Sequence, residues 1–180
     1  MNTFVSILRG INVGGHNQIK METLRQLYSE LGFIDSKTYI QSGNVIFRTD
    51  KDDTKGLEDE IAEKIQNTVG LKVPVLVLSV DELKNALENN PFAKDPSNDI
   101  AFLHLTFLSG IPDQTLMDNI PAGNFLPDEF RCSGKTIYVY CPTGYGHTKL
   151  TNTFFEKKLH LTATNRNLKT ATELLSLALK

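Results

Sequence analysis

The chain has 180 residues, 40% of them hydrophobic and 22% charged, with a net charge of −2. These are values of an ordinary folded protein, and they exclude a disordered chain and a uniformly basic nucleic-acid clamp. No apolar run approaches the roughly 20 residues of a membrane-spanning helix, and the N-terminus enters a strand without a signal-peptide layout, so a cytoplasmic protein with no membrane partner is expected.

Taken in chain order, Thr3–Leu8 reads as a buried strand that runs straight into Arg9-Gly10-Ile11-Asn12-Val13-Gly14-Gly15. Glycines let such a loop turn sharply and point its amides outward, and Arg9 adds a fixed positive fork, so this stretch reads as the rim of a binding site. Met21, Leu24, Leu27, Tyr28 and Leu31 then recur at helical spacing, and Gly32 closes the helix. Lys37–Gln41 and Asn44–Arg48 are short strands around a tight-turn signal, Ser42-Gly43. Leu57, Ile61 and Ile65 line a second helix, on which Glu60 stands four residues ahead of Lys64 as an expected surface pair. Val73–Leu78 is another buried strand. The first half is thus β-α-β-β-α-β, the split βαβ plait.

Ser79-Val80-Asp81-Glu82 has the form of a capping box opening a connecting helix, Asn90-Pro91 stops it, and Phe92–Asp99 reads as a linker. The order then repeats. Ala101–Leu108 is a strand, Asp113–Ile120 a short helix, Glu129–Cys132 and Thr136–Cys141 a hairpin, Lys149–Leu159 a helix and Leu161–Thr164 a short strand before a terminal helix. Ser42–Phe47 can be laid on Ser133–Tyr138 at an offset of 91. The expected class is therefore α+β, a tandem duplication of two ferredoxin-like βαββαβ sub-domains: residues 1–79, a connecting helix and linker over 80–99, and 100–180 with a C-terminal helix. A single mixed sheet is the alternative.

Cys132 and Cys141 flank the second hairpin. With its turn at Ser133-Gly134, Cys132 lies opposite Lys135 and the thiols are too distant to bridge, so both are read as reduced. No Cys/His grouping has metal-site spacing.

The topology carries a statement about function. In an antiparallel plait the loop after the first strand shares an edge with the hairpin turn, which places Arg9–Gly15 beside Gln41-Ser42-Gly43-Asn44. By the same rule the loop after Cys141 shares an edge with the one after Thr164. Residues 131–180 hold eight Lys/Arg against two Glu, +6, while the first 130 residues carry −8. That leaves room for a local anion site in the last third, although solvated faces such as that of Lys157 and Lys158 account for much of the asymmetry.

Pro142–Lys149 sets Gly144 and Gly146 before a helix N-terminus, where amides, Thr148 and Lys149 suit an anion; the plain alternative is a turn in which Thr148 caps the helix. The spacing is neither a P-loop nor a dinucleotide fingerprint. Lys149, Asn152 and Glu156 are spaced to share one helix face. In Thr164–Thr170, either Asn167 caps the next helix or Thr170 with Glu173 forms a capping box, while Arg166 and Lys169 oppose the helix dipole and call for a negative partner. His16 and His147 lie in glycine loops, a common placement for a functional imidazole, though a lone loop histidine is more often simply solvated.

Four ordered stretches, Leu8–Gly15, Tyr39–Val45, Thr148–Asn152 followed by Phe154-Phe155-Glu156, and Ala163–Asn167, resemble the domain-of-unknown-function family 1697 of bacterial proteins. The resemblance covers nearly the whole chain. It implies a duplicated plait and supplies no activity.

The candidate ligand-binding residues are Arg9, Asn12, Gly14, Gly15, Gln41, Ser42, Asn44, Gly144, Gly146, His147, Thr148, Lys149, Asn152, Arg166, Asn167 and Lys169. They point first to a phosphate-bearing small molecule or a short nucleic acid. RRM-type binding is disfavoured, because Asn44–Arg48 lacks the aromatic pattern of that module. An enzyme on an anionic substrate, with His147 as acid/base, and a protein interaction module are the alternatives. No catalytic motif, cofactor motif or metal cluster is present in the sequence, and nothing in it sets an oligomeric state.

Overall fold

From Phe4 to Leu8 the strand Asn2–Leu8 (β1) is apolar except at Ser6, and this stretch is buried on both sides. The computed structural model describes all 180 residues. After β1 come α1 (Met21–Glu30), β2 (Ile34–Tyr39), β3 (Asn44–Thr49), α2 (Thr54–Val69) and β4 (Val75–Ser79). Asp53 caps α2 by accepting the Lys55 N–H, and Gly70 ends it in the left-handed region. The capping box opens α3 (Val80–Glu88): the Glu82 carboxylate accepts the Ser79 N–H at 2.8 Å and the Ser79 hydroxyl accepts the Glu82 N–H at 3.1 Å.

The second set is β5 (Leu103–Leu108), α4 (Gln114–Asp118), β6 (Glu129–Ser133), β7 (Thr136–Tyr140), α5 (Asn152–Leu159), β8 (Ala163–Asn167) and α6 (Leu168–Ala178). The two sheets are β2-β3-β1-β4 and β6-β7-β5-β8, antiparallel throughout and identical in topology. This is the duplicated ferredoxin-like plait. The chain divides into two compact units: Met1–Lys84 with Glu173–Lys180, and Asn85–Thr172. The first unit is therefore discontinuous, and the end of α6, grouped by sequence order with the second plait, belongs to it.

In the first unit α1 and α2 bury Leu24, Leu27, Tyr28, Leu57, Ile61 and Ile65 against Phe4, Leu8, Val45, Phe47, Val75 and Val77. Phe47 stacks on both Phe4 and Phe33, and Tyr28 meets it edge-on. In the second, Phe155, Leu159 and Met117 cover Leu108, Phe130, Ile137, Val139, Cys141 and Ala163. The opposite sheet faces are buried as well, at Val5, Ile7, Leu76 and Leu78 in one sheet and Leu105, Phe107 and Tyr138 in the other. This is why these strands read as continuous apolar runs.

The register corrects several expectations. Ile7 pairs with Asn44 and Phe107 with Thr136, so with β1 laid on β5 the strand β3 falls on β7 at an offset of 92, not 91. One residue decides which face a side chain takes. The slip arises in the turns. Tyr39 pairs with Asn44 across the four residues Ile40–Gly43, whereas Ser133 pairs with Thr136 across only Gly134 and Lys135. Cys132 accordingly lies opposite Ile137 and not Lys135; it is exposed and Cys141 is buried, and both thiols are free.

β2 runs over Ile34–Tyr39, earlier than the expected Lys37–Gln41. α5 begins at Asn152, because Thr151 caps it by accepting the Phe154 N–H at 3.2 Å, which leaves Lys149 outside the helix. The last strand is Ala163–Asn167: its polar residues pair with Thr106, Leu105 and His104, and cross-strand pairing overrides their loop-like composition. Glu60 and Lys64 do not pair with each other. Glu60 meets Lys51 at 2.7 Å and Lys64 meets Glu30 at 2.8 Å.

Candidate functional site

Each pair of loops lies along a shared sheet edge, as the plait topology requires. In the first unit the Leu8 N–H donates to the Gly43 carbonyl at 2.8 Å. Asn12 sits at φ +53 and knits the rim together: its Nδ2 donates to the Ile19 and Gln41 carbonyls, each at 2.9 Å, and its Oδ1 accepts the Ile19 N–H at 2.8 Å. Asn44 is buried and donates to the Tyr39 carbonyl and to the Ser42 hydroxyl. Asn12, Ser42 and Asn44 are thus committed to holding the loops. Gly14, Gly15 and the Gln41 side chain are exposed, and Arg9, half-buried, ties its own N–H to the Pro74 carbonyl. Gly43, at φ +85, lies so close to Ile11 and Leu8 that a Cβ there would stand 2.6–2.9 Å from their side-chain atoms. Beside it Ile40, β-branched and 48% exposed, holds φ +50, a strained conformation for such a residue.

In the second unit the sheet end is organised by a residue that lies in neither glycine loop. His104 Nδ1 is 2.9 Å from Asn165 Oδ1, Asn165 Nδ2 donates to Thr106 Oγ1 at 3.0 Å, and the His104 ring stacks on Tyr145 with centroids 4.5 Å apart and planes at 22°. The Gly144–Lys149 loop is thereby joined to β8 through one imidazole. Burial lowers the His104 pKa, with the Asn165 contact acting in the opposite direction. A usable signal was in the sequence: His104 and Thr106 stand two residues apart, hence on one face, in a strand otherwise apolar.

Around this centre Gly146, His147, Lys149 and Lys169 are exposed. Gly144, at φ +98, starts a single 3-10 turn over Tyr145–His147. Thr148 is not the helix cap: its hydroxyl accepts the Leu150 N–H and bonds the Cys141 thiol, which burial, helped by the Asp128 carboxylate and opposed by Thr148, pushes up to about 11. Asn152 opens α5 with its Oδ1 buried and without a hydrogen bond. Asn167 is the α6 cap, accepting the Thr170 N–H at 2.7 Å, so Thr170 and Glu173 do not form a capping box. Glu156 accepts the Ala163 N–H at 3.1 Å and shares no helix face with Lys149.

The structure separates two residues that adjacency in sequence had grouped. Along β8 side chains alternate, so Asn165 meets His104 and Thr106 on the helix-covered face while Arg166 belongs to the other. Arg166 donates to the Asn165 carbonyl at 2.7 Å, and burial lowers its pKa. No three His, Cys, Asp or Glu side chains are grouped as metal ligands, and no helix is long and apolar enough to cross a membrane.

The conserved bacterial protein SP0830 from Streptococcus pneumoniae has the same fold, with a TM-score of 0.78 at 23% identity over 100% of this chain and 99% of its own. No curated protein matches the sequence. The model of the family described as protein of unknown function (DUF1697) matches residues 1–138. That match takes in the first plait, the glycine rim and the second plait as far as β7, and on it the chain belongs to the DUF1697 family.

Proposed function

We propose that the protein binds a phosphate-bearing small molecule at the end of the second sheet where the Gly144–Lys149 loop and the start of α6 meet. The observation that carries this reading is the His104 bridge, which fixes the glycine loop against β8 through Tyr145 and Asn165. Exposed Lys149 on the loop and exposed Lys169 past Asn167 then supply cationic groups to that sheet end, with the His147 imidazole on the same loop as a hydrogen-bonding group, the chemistry that a dianionic phosphate selects. A small molecule fits better than a long nucleic-acid strand, because the whole chain carries −2 and its first 130 residues are acidic.

A thermal-shift panel of inorganic phosphate, sugar phosphates, nucleotides and short oligonucleotides tests the proposal against wild type and a Lys149→Ala/Lys169→Ala variant. A ligand at 100 times its Kd stabilises by about 2.7 kcal/mol. A shift in the wild type that the variant loses supports the site; a shift of equal size in both places the ligand elsewhere. Oligonucleotides shifting the protein more than any mononucleotide would move the reading to short nucleic acids.

A further inference from the structure

The two plaits are copies, so each position in one has a counterpart in the other. His104 pairs with Asn167 and Val139; Phe4 pairs with Ser79 and Phe47. Thr106 pairs with Asn165, and Ser6 with Val77. Where the first copy has Phe4 and Val77 in its core, the second therefore has His104 and Asn165. The scaffold itself does not need polar groups there, since Phe4 stacks on Phe47 and Val77 is buried. Introducing an imidazole and an amide at core-facing positions costs stability unless their polar atoms are used.

Most of those atoms are used, and the pattern of use says which is left. The Asn165 amide presents its nitrogen to Thr106 and its oxygen to His104. An amide oxygen only accepts, so His104 Nδ1 carries the proton and Nε2 carries the lone pair. Stacking on Tyr145 fixes the ring plane. Nε2 makes no hydrogen bond within the protein and is not fully buried, which leaves its lone pair for a ligand. Burial keeps the ring neutral, which suits an acceptor and not a cationic phosphate clamp.

We infer that His104 is a recognition residue for the ligand of this sheet end: its Nε2 accepts a hydrogen bond from a ligand hydroxyl, which assigns the ligand to hydroxyl-bearing phosphate monoesters. The inference rests on the anion site proposed above. Lys149 and Lys169 attract the phosphate, and His104 distinguishes a sugar phosphate or nucleotide from a phosphate ester without hydroxyls. Asn165 is a positioning residue that sets the tautomer.

The test is calorimetric titration with ribose 5-phosphate, adenosine 5′-monophosphate and methyl phosphate, which lacks a hydroxyl, combined with nitrogen-15 NMR of the imidazole. The variant is His104→Phe/Asn165→Val, which installs the pair that the first copy already packs. Wild type is expected to bind at least one hydroxylated ester about tenfold tighter than methyl phosphate, the effect of one good hydrogen bond. The variant should bind all three with the affinity wild type has for methyl phosphate. NMR should show the Nδ1–H tautomer, with the Nε2 resonance moving on addition of the hydroxylated ester. Which of the two hydroxylated probes binds tighter separates sugar phosphates from nucleotides.

Discrimination that survives in the variant, or an Nε2–H tautomer in wild type, overturns the role of His104 and leaves the anion site standing. No binding of any probe to wild type, or binding indifferent to Lys149→Ala/Lys169→Ala, overturns the site and this inference with it.

Discussion

Glu58 and Glu156 perform the same task in the two copies. Glu58 on α2 accepts the Val77 N–H at 3.0 Å, and Glu156 on α5 accepts the Ala163 N–H at 3.1 Å. β4 and β8 are the edge strands beside these helices, so each carboxylate occupies an amide that would otherwise be open to a neighbouring strand. Glu58→Ala should cost about 1–2 kcal/mol in urea denaturation, more than Glu58→Gln, whose amide oxygen can still accept.

The same residue gives a pH dependence. Burial raises the Glu58 pKa, outweighing the Val77 N–H and the Lys55 charge, both of which lower it. A folded pKa above the unfolded value of about 4.3 means that its stabilising contribution is full below pH 4 and is lost as pH rises through the folded value. Glu58→Gln removes that loss, so its stability relative to wild type should rise between pH 4 and pH 7. A difference that is flat across this range would show that burial does not raise the carboxyl's pKa in the folded protein.

Gly43→Ala should be the most damaging glycine substitution in the rim. The new methyl would meet Ile11 Cδ1 at 2.6 Å and Leu8 Cβ at 2.9 Å at a backbone φ of +85°. Overpacking and left-handed strain together should cost about 2–4 kcal/mol. Gly134→Ala, at φ +57° with nothing within 4 Å, should cost only about 1 kcal/mol. Thermal denaturation of the two variants provides the comparison.

Asn12 is the pin of the glycine rim, with three hydrogen bonds from one side chain. Asn12→Ala should destabilise by about 2–3 kcal/mol and also forfeit the left-handed tolerance of asparagine. Hydrogen exchange should quicken first at Ile19, whose amide loses its acceptor. If Ile19 exchanges at the wild-type rate, the rim is held by something other than Asn12.

Asn167 separates a cap from a ligand contact. Asn167→Ala should lose about 1 kcal/mol, whereas Asn167→Asp keeps the cap and its stability. The added carboxylate would nonetheless weaken any phosphate held beside Lys169, so phosphate affinity in the aspartate variant should fall while the melting temperature holds. Retained affinity would place the phosphate away from α6.

The plait itself is legible because its inner strands β1, β3, β5 and β7 are buried on both faces and its longer helices keep a clean apolar period. The adjacency of Arg9–Gly15 to Gln41–Asn44 followed from topology alone. The hairpin register was not legible. Ile40 is no turn former, and nothing in the sequence announced that it would take φ +50 and lengthen the first turn to four residues. The end of β8 is hidden in the sequence for a related reason: Asn165-Arg166-Asn167 looks like a loop until β5 is beside it to pair. His104 lies outside the glycine loops in which a functional imidazole is expected, and what distinguishes it is a partner, Asn165, 61 positions away.

The discontinuity of the first unit sets an order of events during synthesis. Glu173–Lys180 belong with Met1–Lys84, and Asn85–Thr172 lie between them. At 5–20 residues per second the ribosome needs roughly 4–18 s to make that insert. Throughout that interval the first unit lacks its last helical residues, while the second is completed at Thr172 as a continuous stretch. The unit begun first is therefore the unit completed last, and the one carrying His104 is complete before it.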